Sequence, residues 1–246
     1  MSLAIDDPDY WAFSWSEMGR YDDVENVRFI KEKTGKKVSY IGVSQGTVQM
    51  FYGLSRLEDE FFADNLFTFA ALDPCTIDIS EGDSIYENGL FHFADYGIYA
   101  FNGPNWDKDL VTICENFDRE VCEYALGATG QEPVSVQTNV HWAQNCIQDR
   151  FQEYAPNYME GETHTDLIPL SSISTVPITI WSGLLDQTCS NTQAKKSAAE
   201  IGERVTYFRT VPWGYHTWWG GPLTKGLFKD LVRYLTNPEI KEYPLY

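Results

Sequence analysis

Tyr21, Val24, Val27 and Ile30 recur at three-residue steps between charged neighbours, which predicts an amphipathic helix closed by Gly35, a residue suited to a left-handed C-cap. Four apolar runs predict strands: Val38 to Ile41, Leu66 to Leu72, Pro177 to Trp181 and Val205 to Val211. The last three are nearly continuously apolar, as parallel strands covered on both faces are. Helix-compatible stretches from Thr47 to Leu57, from about Thr192 to Ile201 and from about Leu223 to Leu235 alternate with these runs, which is the order of an α/β layer fold. Between the second and third strands the chain runs from Cys75 to Leu170 without strand alternation, too far for an ordinary connection. The expected organisation is a core of residues 1–74 and 171–246 around a parallel sheet, with residues 75–170 inserted as a mainly helical cap.

Composition narrows the class. The 246 residues are 43% hydrophobic and 15% aromatic, enough for one large domain with an insertion. Eighteen basic against thirty-six acidic residues leave a net charge of −18, so nucleic acid is excluded as a principal partner. No apolar run approaches the roughly 18 residues of a membrane span. The opening Met1-Ser2-Leu3-Ala4, followed by Asp6 and Asp7, has no basic start and no apolar stretch, so no signal peptide is expected. The five cysteines include no C-x-x-C pair, which points away from a disulfide scaffold and from zinc.

The chemistry lies in Gly42-Val43-Ser44-Gln45-Gly46. This G-x-S-x-G follows a predicted strand and opens a predicted helix, the context in which such a turn displays a nucleophilic serine. Gly42 and Gly46 permit the sharp turn, Ser44 is the nucleophile, and the Gln45 N–H at the helix start is placed to stabilise an oxyanion. Serine needs a base and an acid to orient that base. His216 follows the last strand and Asp186 the third, so the order Ser44, Asp186, His216 matches that of α/β-hydrolases. Asp73, at the end of the second strand before Pro74, is the alternative acid. His92, His141 and His164 fall in the cap and are read as surface or packing histidines.

Several segments resemble the acid lipase family of gastric and lysosomal acid lipases. They are Trp11 to Asp22 (W-A-F-S-W-S-E-M-G-R-Y-D), Lys33 to Thr47 around the serine, Ser135 to Gln144 with Phe151 to Tyr154 in the cap, Val176 to Asp186, and Val211 to His216. The resemblance implies an α/β-hydrolase fold, here the C-terminal half of the usual sheet, and the triad Ser44, Asp186 and His216. It also implies a cap disulfide between Cys114 and Cys122. Val43 stands where family members carry histidine, the cap is shorter, and the family's early strands and second oxyanion loop have no counterpart before Asp6. The strand at Val38 is then expected to be an open edge, able to pair with a second copy of the chain.

The expected activity is hydrolysis of apolar acyl or aryl carboxylic esters through an acyl-enzyme, with no metal or organic cofactor. Phe91, Phe93, Tyr99, Phe101, Trp218 and Trp219 are expected to line an apolar pocket or to pack the cap. The alternative is a non-catalytic lipid- or partner-binding remnant. By resemblance the substrate is an ester or lipid, met in passing contact with a lipid interface, and the setting is secreted or lysosome-like. No N-x-S/T sequon supports a glycosylated form.

Overall fold

The computed structural model describes residues 3–57, 59–77, 89–127, 129, 132–219 and 224–238. The chain divides into two compact units, Trp15–Ser80 with Leu167–Tyr246, and Met1–Ser14 with Glu81–Asp166. The division differs from the one expected from sequence in its first residues, which group with the inserted segment. Ser135 explains this: its Oγ lies 2.7 Å from the carbonyl oxygens of both Trp11 and Phe13. Ser14 Oγ is likewise 2.9 Å from His141 Nδ1.

Six strands are found among the described residues: β1 Val38–Ser44, β2 Leu66–Pro74, β3 Ala100–Phe101, β4 Val134–Ser135, β5 Ile178–Gly183 and β6 Val205–Val211. The first unit is built on a parallel sheet in the order β1-β2-β5-β6. Its central strands are the continuously apolar ones: β5 is buried throughout, and β2 everywhere except at Phe67. Marginal β1 alternates instead, with Ser39 and Ile41 exposed. Phe69 of β2 packs against Phe51 of the helix Gln45–Arg56. Its neighbours Ala70 and Leu72 join a cluster with Trp181, Val211 and the side chains of Leu227, Leu231 and Tyr234 from the helix Thr224–Thr236. Because successive strand residues face opposite ways, these contacts put one helix on each face of the sheet.

The helix Asp23–Thr34 buries less than its pattern predicts. Of the predicted stripe Val27 is buried, but Ile30 is 43% exposed and Tyr21, in the turn before the helix, is 60% exposed. It lies at the β1 margin, where there is little for a wide apolar stripe to cover. The turn before it approaches the helix Gln45–Arg56 closely at Gly19, where a Cβ would lie 2.4 Å from the Gln49 carbonyl oxygen.

In the second unit the helices Trp106–Asn116, Arg119–Gly127 and Val136–Gln148 accompany an antiparallel pairing of β3 with β4. Two residues per strand are too few to leave an alternation in the sequence. Phe93, Phe101, Trp106 and Phe117 form its aromatic core, and Cys114 and Cys122 are joined with S–S 2.06 Å. Among the described residues no helix is long and apolar enough to cross a membrane.

Candidate active site

Ser44 ends β1 and opens the helix Gln45–Arg56 with φ 53° and ψ −120°, a conformation that costs a non-glycine residue about 1–3 kcal/mol. The turn requires glycine at position 42, whereas a Cβ on Gly46 would meet nothing nearer than the Tyr40 hydroxyl oxygen at 3.8 Å. A Cβ on Gly42 would lie 2.5 Å from the Gly46 carbonyl oxygen, and the Thr47 hydroxyl donates to the Ser44 carbonyl at 2.5 Å. Gln45 and Gly46 occupy the first turn of the helix, whose N–H groups lack carbonyl partners within the helix. Val43 packs against the cluster around Trp181.

The Tyr40 hydroxyl lies 3.1 Å from the Gly46 carbonyl oxygen and 3.2 Å from Asp23 Oδ1, linking the turn to the helix Asp23–Thr34. Burial pushes the Asp23 carboxyl up to about 7, against the Tyr40 hydrogen bond and with a further push from Asp22. Burial, reinforced by Asp23, likewise raises Tyr40.

Among the described residues two side chains stand close to Ser44 Oγ. The Tyr215 hydroxyl donates to it at 2.8 Å, and Cys189 Sγ lies 3.8 Å away. Tyr215 opens the turn Tyr215–Trp219 that carries the backbone of His216, while the His216 and Trp219 side chains lie outside the described residues.

The two candidate acids sit side by side because their strands do. β2 and β5 pair with Leu72 opposite Trp181, so the loops that follow them emerge together. Asp73 is fully buried at φ 44° and has both oxygens engaged, one by the Gly183 N–H and the other by the Trp218 indole N–H. Burial and the adjacent Asp186 carboxyl raise its pKa. Asp186 is also buried, and its Oδ1 accepts from the backbone N–H groups of Thr188 and Cys189 at 2.7 and 2.8 Å. Among the described residues no N–H reaches the buried Asp186 Oδ2, and the Asp73 carboxyl is in hydrogen-bonding contact with Asp186. The loop is held from the other side by Leu184 N–H on the Val211 carbonyl and Leu185 N–H on that of Trp213, while the Leu184 and Leu185 side chains are 60% and 66% exposed.

Sequence reasoning missed three partners here. Tyr215 stands one residue before the histidine it singled out. Cys75 and Cys189 form a second disulfide, which spans 114 residues. The available signal was that each cysteine closely follows the end of a neighbouring parallel strand. Trp218 was read as packing or pocket lining, and its indole N–H bonds Asp73. Among the described residues no three His, Cys, Asp or Glu side chains gather into a metal site.

The cap histidines divide. His141 is fully buried, its Nε2 2.8 Å from the Gln152 carbonyl oxygen, and burial pushes its pKa down to about 3. His92 pairs with Asp95 at the surface and His164 lies beside the Thr163 hydroxyl. Phe93 and Phe101 are core residues, whereas Phe91 and Tyr99 line a cavity of about 300 Å³ in the second unit, with Trp11, Val140, Tyr154 and Tyr158.

No protein-family model matches the chain. Mouse lipase member K is 26% identical over 267 aligned positions, covering 95% of this chain and 66% of the mouse protein. Bovine gastric triacylglycerol lipase is 28% identical over 208, covering 72% and 52%. Over a shorter stretch of 74 positions mouse lipase member M reaches 42%, covering 30% of this chain and 17% of that protein. The chain thus spans about half to two thirds of the length of the first two. Among solved structures, an α/β hydrolase from Penicillium sp. superposes with TM-score 0.55 at 14% identity, covering 91% of this chain and 72% of that one. A Paleococcus ferrophilus monoacylglycerol lipase superposes with TM-score 0.52 at 14% identity, covering 91% and 75%. The chain has the α/β-hydrolase fold and is similar in sequence to the gastric type of acid lipase.

Proposed function

We propose that the chain is a serine carboxylic-ester hydrolase acting on apolar acyl or aryl esters. The observation that carries this reading is Ser44, held at φ 53° between β1 and a helix N-terminus with its Oγ directed to the turn bearing His216. In this reading His216 takes the Ser44 proton as Oγ attacks the ester carbonyl, and returns it to the leaving alcohol. The Gln45 N–H stabilises the oxyanion, and water then releases the acyl group.

Asp186 is the orienting acid. Both Asp73 oxygens already have N–H partners, whereas Asp186 keeps one buried oxygen for the imidazole N–H. Two adjacent buried carboxylates do not both ionise cheaply. Burial and the adjacent Asp186 carboxyl raise the Asp73 pKa, which favours the neutral form of Asp73. Because the Tyr215 hydroxyl donates to Ser44 Oγ, the serine's own proton is not used in that contact and is available to a base.

The relatives named as lipases support ester or lipid substrates, and the aromatic cavity of the second unit supports an apolar ligand. The exposed Leu184 and Leu185 support passing contact with a lipid interface. Two disulfides and gastric relatives support an oxidising, secreted or lysosome-like setting. The test is covalent capture: a fluorophosphonate probe should label Ser44, mapped by peptide mass spectrometry. Labelling elsewhere, or none, would count against the reading.

A further inference from the structure

The Cys75–Cys189 disulfide joins the two loops on which the proposed chemistry depends. Cys75 directly follows β2, and its N–H reaches Thr47 Oγ1 at 3.4 Å, the hydroxyl that in turn donates to the Ser44 carbonyl. Cys189 lies three residues beyond Asp186 and donates its N–H to Asp186 Oδ1. Both cysteines are buried, at 2% and 0% exposure, and Cys189 Sγ is 3.8 Å from the nucleophilic oxygen. One end of this bond therefore abuts the serine turn and the other holds the acid loop.

We propose that Cys75 and Cys189 are positioning residues, a covalent clamp that sets the Asp186 carboxylate relative to Ser44, so that the enzyme is switched down by thiol reduction. The proposal rests on the hydrolase reading above. Catalytic groups must be held to within about 0.5 Å of their working geometry. Among the described residues, the acid loop is otherwise tied by the backbone hydrogen bonds from Leu184 and Leu185 and by those within its own turn. Reduction by a dithiol breaks the S–S bond. Two electrons and two protons pass to the cysteines, which become thiols, and the dithiol closes to its own disulfide. The sulfurs then separate from bonding to van der Waals distance inside a buried site, and Cys189, which donates to Asp186 and lies against Ser44, moves with its sulfur.

The experiment uses the full chain carrying Cys114→Ser and Cys122→Ser, which leaves this disulfide as the reducible one of the two. A non-reducing peptide map should contain the Cys75–Cys189 cross-link, and its absence overturns the proposal whatever the turnover. With p-nitrophenyl butyrate, dithiothreitol should lower kcat at least tenfold with KM changed less than twofold. It should also displace the acid limb of the kcat profile, and reoxidation should restore all three. Cys75→Ser with Cys189→Ser should match the reduced protein and no longer respond to dithiothreitol. Where that variant does not fold, the reversible reduction of the parent decides. Reduced protein with full kcat refutes the clamp and leaves the hydrolase intact, whereas an oxidised protein without turnover refutes the hydrolase reading.

Discussion

Asp23 gives the fold a pH dependence of definite sign. The residue is 5% exposed, its carboxyl faces the Tyr40 hydroxyl, and burial lifts its pKa from the ordinary 3.8 to about 7. Between those values the folded chain keeps a proton that the unfolded chain has released. The contribution is thus fully present below about pH 4 and is lost as pH rises through about 7. Each pH interval costs about 1.4 kcal/mol, so at most about 4 kcal/mol is lost across the window. Asp23→Asn keeps an acceptor for Tyr40 and cannot ionise. Urea unfolding followed by tryptophan fluorescence at half-unit steps from pH 4 to 8 should show the variant and the parent within about 1 kcal/mol at pH 4. The variant should then gain on the parent by up to about 1.4 kcal/mol per pH unit until about pH 7, after which the difference levels off. A difference that stays constant with pH, or one that falls, refutes the reasoning. Asp73 slopes in the same direction but is common to both proteins and cancels in the comparison.

Other changes have equally definite outcomes. Gly42→Ala drives a Cβ to 2.5 Å from backbone, and should cost about 3 kcal/mol in unfolding experiments and most of the activity. Tyr215→Phe removes one hydrogen bond to Ser44 Oγ, about 1 kcal/mol, so kcat should fall roughly fivefold with KM little changed; a rise in kcat would mean that the contact restrains the serine. His141 has the opposite sign to Asp23: with its pKa lowered to about 3, the stability it contributes is lost as pH falls below about 6.5. Nitrogen NMR of the ring should find it neutral at pH 5 in the folded chain.

Much of the sheet was legible in sequence because buried parallel strands must be apolar on both faces, as β2 and β5 are. The serine turn was legible for a different reason: glycine spacing encodes a close backbone approach, which Gly42 makes to Gly46. What stayed hidden depends on which elements become neighbours. The Cys75–Cys189 bond follows from β2 and β5 lying side by side, whereas the Asp73–Trp218 and Ser44–Tyr215 contacts are made by the turn after β6 to strands that β6 does not pair with, and no local spacing records either. The grouping of Met1–Ser14 with Glu81–Asp166 was hidden likewise, since it turns on Ser135 and His141, more than a hundred residues away. The apolar stripe of the helix Asp23–Thr34 overstated its burial because periodicity gives a face and not what covers it.

The most direct test of the central claim is hydrolysis of a p-nitrophenyl ester series from acetate to palmitate across acid and neutral pH, with the parent chain beside Ser44→Ala. The account predicts turnover in the parent that is abolished in the variant while both unfold at the same denaturant concentration. No turnover in the parent, or turnover that Ser44→Ala leaves unchanged, would contradict it.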